Sequence, residues 1–170
     1  INRTHEILSS VFNIPLATGT IKNMVTRCAE SLKDTYEQIR LKMITLGLIH
    51  CDETGSRVDG KTCWVHVASD QNYTYLTINQ KRGQAGMDAA NVLPHANGII
   101  MHDCWSSYWK YQNVTHAICC AHLLRELNGV IENHPEQTWA VRFKKLLLDM
   151  KKVRDKALLL DKDEVSYYHR

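Results

Sequence analysis

Two short apolar runs that each end in an aspartate constrain the fold of this 170-residue chain more than any other feature. The first run covers residues 48–52 and ends in Asp52, and the second covers residues 98–103 and ends in Asp103. Apolar runs of this length are typical of buried strands, and α/β sheets gather their functional groups at strand ends. We therefore expect two strands that each carry a carboxylate at the C-terminal end, where a pair of carboxylates can hold Mg²⁺.

The segments between the two aspartates predict an antiparallel meander. Residues 63–69 and 73–78 are rich in β-branched and aromatic residues and alternate in polarity, as half-buried strands do. The Asp59-Gly60 pair before them is a strong hairpin signal. Three consecutive strands joined by tight turns therefore begin the predicted sheet.

The remaining segments alternate between helices and strands. In chain order they are a helix at 84–93 ended by Pro94, a strand at 98–103, a short aromatic helix at 105–111, a strand at 115–119, and helices at 121–132 and 139–160. The order β-β-β-α-β-α-β-α, with acids ending the first and fourth strands, is the plan of the ribonuclease-H-like fold. We predict an α/β protein with a mixed five-stranded sheet flanked by helices.

The N-terminal part of the chain predicts helices. Helical segments at residues 5–12 and 20–27 are separated by a short turn, which is the outline of a helix-turn-helix. In that interpretation Lys22 and Arg27 are candidates for contact with DNA. The alternative is an ordinary helical hairpin that packs its Ile and Val residues.

Two further signals mark the ends of the N-terminal helices. Thr18 or Thr20 is placed to cap the second helix, and Gly47 ends a third helix predicted at residues 31–46. We divide the chain into an N-terminal helical segment (residues 1–46), the core strands (residues 47–120) and a C-terminal helical region (residues 121–170).

Composition sets limits on the class of protein. The net charge of +3 is mildly basic, which is compatible with a nucleic-acid partner without pointing to one. No apolar stretch approaches the roughly 20 residues needed to span a membrane, and the N-terminus has no signal peptide. The 6 cysteines form no compact disulfide framework, so we expect reduced thiols and a cytoplasmic protein. The chain also begins without Met, which suggests a piece of a longer protein.

Several motifs, in order along the chain, resemble the core of the IS66 family of insertion-sequence transposases. The resemblance covers roughly residues 1 to 160. The matching segments are His50-Cys51-Asp52-Glu53-Thr54-Gly55, Val58-Asp59-Gly60-Lys61, Trp64-Val65-His66-Val67-Ala68-Ser69, Lys81-Arg82-Gly83, His102-Asp103-x-Trp105-x-x-Tyr108 and Cys119-x-x-His122-x-x-Arg125-Glu126-Leu127. Each motif alone is modest, but the ordered set is specific.

The resemblance implies a DDE transposase that cleaves and joins transposon DNA with two divalent metal ions, Mg²⁺ or Mn²⁺. Asp52 matches the first catalytic aspartate of the family and Asp103 matches the second. Glu53 is the neighbour most easily confused with Asp52, but adjacent strand side chains point to opposite faces and the motif selects Asp52. The family also implies DNA as the partner, self-association of the full-length protein, and a location in the bacterial cytoplasm with the nucleoid.

The third acid is where the chain departs from a complete DDE enzyme. Glu126 lies on the helix after the fifth strand, where a plain ribonuclease-H-like nuclease keeps its last carboxylate. The resemblance instead implies a catalytic glutamate in a downstream Asn-Asn-x-x-Glu segment, beyond a helical insertion that the C-terminal helices would begin. The sequence contains no Asn-Asn pair, so we expect a truncated core without the third acid. The alternatives are a self-sufficient nuclease that uses Glu126, and a non-catalytic DNA-binding or assembly remnant.

The remaining motifs each have a structural interpretation beside the functional one. Cys119 and His122 supply only two of the four ligands of a structural zinc site, so zinc is disfavoured and packing is the default. Lys81 and Arg82 are candidates for contact with a DNA phosphate, or form a solvated turn with the glycine that follows.

Four aromatic residues follow the second aspartate, and they are candidates for stacking on bases. Their spacing of three and four favours core packing for at least half of them. They are Trp105, Tyr108, Trp109 and Tyr111.

Overall fold

The computed structural model describes residues 1–159. Its helices are α1 (Asn2–Ser10), α2 (Thr18–Ser31), α3 (Lys33–Ile44), α4 (Gln84–Ala89), α5 (Cys120–Asn133) and α6 (Thr138–Leu159). Its strands are β1 (Leu48–Val58), β2 (Lys61–Ser69), β3 (Thr74–Asn79), β4 (Ile99–His102) and β5 (Thr115–Ile118). Two 3₁₀ turns lie at Leu93–His95 and Tyr108–Lys110. None of the helices in this part of the chain is both long and apolar enough to cross a membrane.

The five strands form one mixed sheet in the order β3-β2-β1-β4-β5. β1 pairs with β2, and β2 with β3, in antiparallel register. β5 runs parallel to β4, because the amides of Thr115 and Cys119 donate to the carbonyls of Gly98 and His102, with the same offset along both strands. This arrangement confirms the predicted ribonuclease-H-like class, a mixed five-stranded sheet flanked by helices.

The β1–β2 hairpin closes where the sequence predicts it. Asp59 and Gly60 both have positive φ, at 49° and 75°, and Val58 pairs with Lys61 across the turn. Positive φ at both central residues is the geometry that matches the twist of the flanking strands, and an Asp-Gly pair adopts it at little cost. The turn therefore fixes the register of β1 on β2.

One face of the meander is buried, and α3 and α4 pack against it. Ile49 and Cys51 of β1 point to this face, and so does Tyr75 of β3. The ring of Tyr36 on α3 packs 4.6 Å from that of Tyr75, and its hydroxyl donates to the carbonyl of Leu76 at 2.8 Å. Burial of these apolar side chains holds the helix on the sheet.

β1 is longer than its apolar run predicts. It continues from Leu48 to Val58, so Asp52 lies in the middle of the strand and the prediction that it ends the strand is wrong. The strand continues because every residue from His50 to Val58 has a partner on β2. Asp103 follows β4 directly, as predicted.

Three helix predictions are also corrected. α4 ends at Ala89, because Asn91 has a φ of 55° that a helix does not accommodate, and Pro94 lies in the following 3₁₀ turn. The aromatic helix at 105–111 is only the 3₁₀ turn at Tyr108–Lys110. α2 has Ala17 as its N-cap and no side-chain cap, so neither threonine plays the predicted role. The predicted end of the last helix, Leu160, lies outside the described residues.

The chain divides into two compact units. One contains residues 1–99 and 111–115, and the other contains residues 100–110 and the chain from residue 116 onward. Asp52 belongs to the first unit and Asp103 to the second, so the surroundings of each aspartate are described within its own unit. The three predicted segments, with boundaries after residues 46 and 120, follow a different division and stay a prediction.

Candidate active site

Asp52 lies on the exposed face of β1. Alternation along the strand places His50, Asp52 and Thr54 on this face, while Ile49 and Cys51 are buried on the other. One carboxylate oxygen of Asp52, Oδ1, accepts the backbone N–H of Glu53 at 2.8 Å. The other oxygen has no hydrogen-bond partner within residues 1–159, which leaves it available to a ligand.

Glu53 points away from Asp52, and its buried carboxylate forms an ion pair with the partly exposed side chain of Arg82. Its side chain is only 1% exposed, and its Oε1 accepts hydrogen bonds from Nε and Nη2 of Arg82 at 3.1 and 3.0 Å. The guanidinium carbon of Arg82 lies 4.8 Å from the ring centroid of Trp64, a cation–π distance. A buried carboxylate is tolerated only when it is paired, so the first role of Arg82 in this unit is to neutralise Glu53.

Cys51 is the other buried neighbour of Asp52. Burial raises the pKa of its thiol to about 12, and the charges of Glu53 and Asp52 act in the same direction. The thiol therefore stays protonated at neutral pH and packs as a small apolar side chain.

Asp103 lies just past the end of β4 and is held by the loop that follows. Its Oδ1 accepts the backbone N–H of Trp105 at 2.9 Å, the local bond by which aspartate stabilises a turn. Its second oxygen has no hydrogen-bond partner in the described part of the chain. The Asp-x-Trp spacing in the sequence therefore has a local structural reason.

A pair of histidines, of which His102 is buried and His116 half-buried, fixes the backbone beside Asp103. His102 is fully buried, and its Nδ1 forms a hydrogen bond with the carbonyl of Asp103. Its Nε2 lies 2.9 Å from Nδ1 of His116 on β5. Because a carbonyl oxygen only accepts, Nδ1 of His102 donates to it, and Nε2 of a singly protonated ring accepts a hydrogen bond from Nδ1–H of His116. The ring also stacks on Tyr108 at 4.6 Å.

Sequence reasoning missed His116. Its contact with His102 depends on β4 and β5 being neighbours in the sheet, which no local pattern states. The only signal in the sequence was that each histidine lies in a short apolar strand, where a lone imidazole needs a hydrogen-bond partner.

The aromatic segment after Asp103 is largely structural. Tyr108 and Tyr111 are buried, which confirms core packing for half of the four rings. The Tyr111 hydroxyl donates to Asp88 at 2.7 Å, and burial together with this contact raises its pKa. Trp109 is 43% exposed, and its ring packs against those of His102 and His116.

The other predicted site residues are exposed on the surfaces of their own units. Glu126 is exposed on α5. Lys81 is exposed in the turn before α4. Lys22 and Arg27 are exposed on α2, where Arg27 lines an open polar pocket with Thr20, Asn23 and Thr26. Their roles in binding metal or DNA stay predictions.

No complete metal site is assembled by the described residues alone. Within residues 1–159 there is no group of three or more His, Cys, Asp or Glu side chains placed to hold an ion. His122 has a buried Nδ1 without a hydrogen-bond partner in this part of the chain. Any divalent site at Asp52 or Asp103 therefore needs ligands in addition to those grouped here, such as water, substrate phosphate or another carboxylate.

Sequence comparison decides the family. Residues 1–170 match the family described as "Transposase IS66 family". The chain belongs to this family. No curated protein matches this IS66-family chain.

Solved structures similar to this IS66-family chain include two of the HTLV-2 integrase catalytic core domain in complex with magnesium. The dimeric form is 14% identical, with 57% of this chain and 81% of that chain covered and a TM-score of 0.37. The trimeric form is 13% identical, with 57% and 80% covered and a TM-score of 0.36. A simian T-cell lymphotropic virus intasome in complex with PP2A regulatory subunit B56 gamma is 12% identical, with 57% and 46% covered and a TM-score of 0.35. Similarity at this level carries no conclusion about activity.

Proposed function

We propose that this chain is the central catalytic region of a DDE transposase that cleaves and joins transposon-end DNA with divalent metal ions. Membership of the IS66 transposase family supports the reaction class. The observation that carries the residue assignment is the placement of the two aspartates. Asp52 lies on the exposed face of β1, and Asp103 directly follows the last residue of β4. Each carboxylate keeps one oxygen without a hydrogen-bond partner among residues 1–159.

In this proposal Asp52 and Asp103 are ligands for Mg²⁺ or Mn²⁺. Carboxylate oxygens are the ligands that these hard cations prefer. Bound ions would activate water or a DNA 3′-hydroxyl and stabilise the leaving oxygen. The chain itself supplies position: the Trp105 amide orients the carboxylate of Asp103, and the register of β1 on β2 orients that of Asp52.

The third acid and the partners belong to the same proposal. A glutamate outside this chain completes the ligand set, and Glu126 is the alternative. Lys81, Lys22 and Arg27 are exposed cations that suit contact with DNA phosphates. The full-length protein self-associates to join two DNA ends, and it works in the cytoplasm on the bacterial nucleoid.

Substitution of each acid in the full-length transposase tests the assignment. Asp52→Asn and Asp103→Asn should each lower Mg²⁺-dependent cleavage of transposon-end DNA by more than about 100-fold, the upper end of what loss of an outer-shell partner causes. Thermal unfolding should change little in either variant, because asparagine has the shape of aspartate and keeps an oxygen that can accept the same backbone N–H. Glu126→Gln serves as the matched acid control and should cleave normally.

Three other outcomes would contradict the proposal. Normal cleavage by either asparagine variant would remove that aspartate from the ligand set. Loss of cleavage in Glu126→Gln would favour the self-sufficient nuclease. A wild-type full-length protein that binds DNA without cutting it in Mg²⁺ or Mn²⁺ would favour the non-catalytic remnant.

A further inference from the structure

α6 carries an apolar stripe with the spacing of a coiled-coil seam. Five side chains along it follow one another at intervals of four, three, four and three residues, and each is between 40% and 59% exposed. They are Trp139, Phe143, Leu146, Met150 and Val153. Alternating steps of four and three keep side chains in one line facing a partner helix. We refer to these five residues as the α6 seam.

The α6 seam is not the face by which α6 packs on α5. That contact uses a neighbouring line of the helix, where Ala140 is fully buried and Leu147 is half-buried. Within residues 1–159 no element buries the α6 seam, since all five of its members rank among the exposed large hydrophobic side chains. A contiguous exposed apolar line of this kind marks an interaction surface.

The charged residues that flank the α6 seam favour one kind of partner helix, which is a second copy of α6. When α6 is aligned antiparallel with a second α6 so that Phe143 packs on the partner's Leu146, Arg142 lies beside the partner's Asp149. The two-fold axis repeats the same contact with the roles exchanged. A parallel alignment would instead place Arg142 beside the partner's Leu147 and Asp149 beside the partner's Arg154. Arg154 already pairs with Asp155 on its own helix at 2.6 Å, so this alignment adds little and gives Arg142 no acidic partner. Charge therefore favours the antiparallel orientation, in which Arg142 gains one.

Asp149 is free to take part in this contact at little cost. It pairs with Lys145 at 2.5 Å and with Lys152 at 3.3 Å, both on α6 itself. Both lysines are largely exposed, and such surface pairs contribute little free energy. Replacing one of these lysine pairs of Asp149 by a pair with the arginine of a second helix should therefore cost little free energy.

We propose that the α6 seam binds the α6 seam of a second copy of this chain as an antiparallel two-helix contact. The inference deepens the self-association included in the proposed function, and it does not depend on the metal-dependent chemistry. Because its readout is oligomeric state and not cleavage, failure of one proposal is distinguishable from failure of the other.

Sedimentation equilibrium of the 170-residue chain over a range of concentrations tests the contact. The wild-type chain should dimerise with rising concentration. Leu146→Glu should weaken the dimer by at least about 30-fold, as loss of a central anchor does. Leu158→Glu is the matched control, since Leu158 is 76% exposed on the same helix but lies off the α6 seam, and it should dimerise like wild type.

Charge reversal tests the orientation. Arg142→Asp and Asp149→Arg should each weaken the dimer, and the double variant should restore it because the antiparallel pairs are re-formed. Circular dichroism confirms that each variant keeps its helices. A chain that stays monomeric at every concentration, or a Leu146→Glu variant that dimerises normally, overturns the proposal. A double variant that stays weak overturns the antiparallel orientation.

Discussion

Asp52 and Asp103 are held in place by two different kinds of structure. Asp52 lies within a regular strand, where backbone pairing from His50 to Val58 sets its position. Asp103 lies just beyond a strand of 4 residues, where side-chain contacts to the backbone set its position. The position of Asp52 is set by many backbone hydrogen bonds along β1 and β2. The position of Asp103 is set by a few specific hydrogen bonds.

This difference has a consequence for substitution. A regular ladder tolerates the loss of an exposed side chain, because each neighbouring backbone pair keeps the strand in register. A buried polar network does not, because removal of one member leaves its partners without hydrogen bonds in a dry environment. His102, next to Asp103, should therefore be less replaceable than His50, which shares the exposed face of β1 with Asp52.

The two histidines that precede the aspartates give the largest expected contrast. His102→Ala should lower the free energy of unfolding by about 3 kcal/mol, because it leaves a cavity and removes one hydrogen bond of His116. His50→Ala should change it by less than about 0.5 kcal/mol, since His50 is exposed. Urea unfolding of both variants beside wild type measures the difference. Similar losses in the two variants would mean that the hydrogen-bond network at Asp103 contributes no more to stability than the exposed side chain of His50.

The buried face of β1, which carries Glu53, also contributes to the stability of the strand. Arg82→Ala should lower the free energy of unfolding by about 1.5 kcal/mol, because it removes charge-assisted hydrogen bonds to the buried carboxylate of Glu53. Lys81→Ala is the adjacent control. Lys81 is exposed, so its loss should leave stability unchanged and affect only binding to DNA. Chemical unfolding and DNA binding are measured on both variants.

Addition of Glu53→Gln to the Arg82→Ala variant provides the rescue. A neutral amide is less costly to bury without a cation than a carboxylate, so part of the lost stability should return. If Arg82→Ala instead weakened DNA binding and left stability intact, Arg82 would be a DNA contact first and a support for β1 second.

Local patterns in the sequence predict a large part of this fold. Polarity alternation gives the faces of β1, and the Asp59-Gly60 turn gives its register, because both depend on residues close in the chain. The spacing of the aromatic residues correctly indicates that Tyr108 and Tyr111 are core residues. In each case the local chemistry and the final environment agree.

The features that local patterns do not predict depend on contacts between residues distant in the sequence. β1 continues past Asp52 because β2 pairs with it, and nothing in residues 48–52 states where that pairing stops. The His102–His116 contact requires that β4 and β5 be neighbours. The partner of Glu53 lies 29 residues away in the turn before α4. Alternation shows only that Glu53 points inward, and not which cation meets it there.

The reactivity of two cysteine thiols compares the sites of Asp52 and Asp103 without a substitution at either one. Of the predictions made for the two sites, this one involves the smallest effect on stability. Cys51 precedes Asp52 and is buried, whereas Cys104 follows Asp103 and is exposed. Iodoacetamide should modify Cys104 in the folded chain and leave Cys51 unmodified until β1 unfolds. Peptide mass spectrometry over a time course gives both rates in one sample.

Cys120 is the internal reference for this measurement, because it is exposed at the start of α5. If Asp103 binds a divalent cation, Mg²⁺ should slow modification of Cys104 relative to Cys120 by a few-fold, since the ion and its waters crowd the neighbouring thiol. Equal modification of Cys51 and Cys104 in the native chain would contradict the comparison. It would mean that the ladder at Asp52 opens as readily as the loop at Asp103, and that regular pairing gives the first carboxylate no firmer support than side-chain contacts give the second.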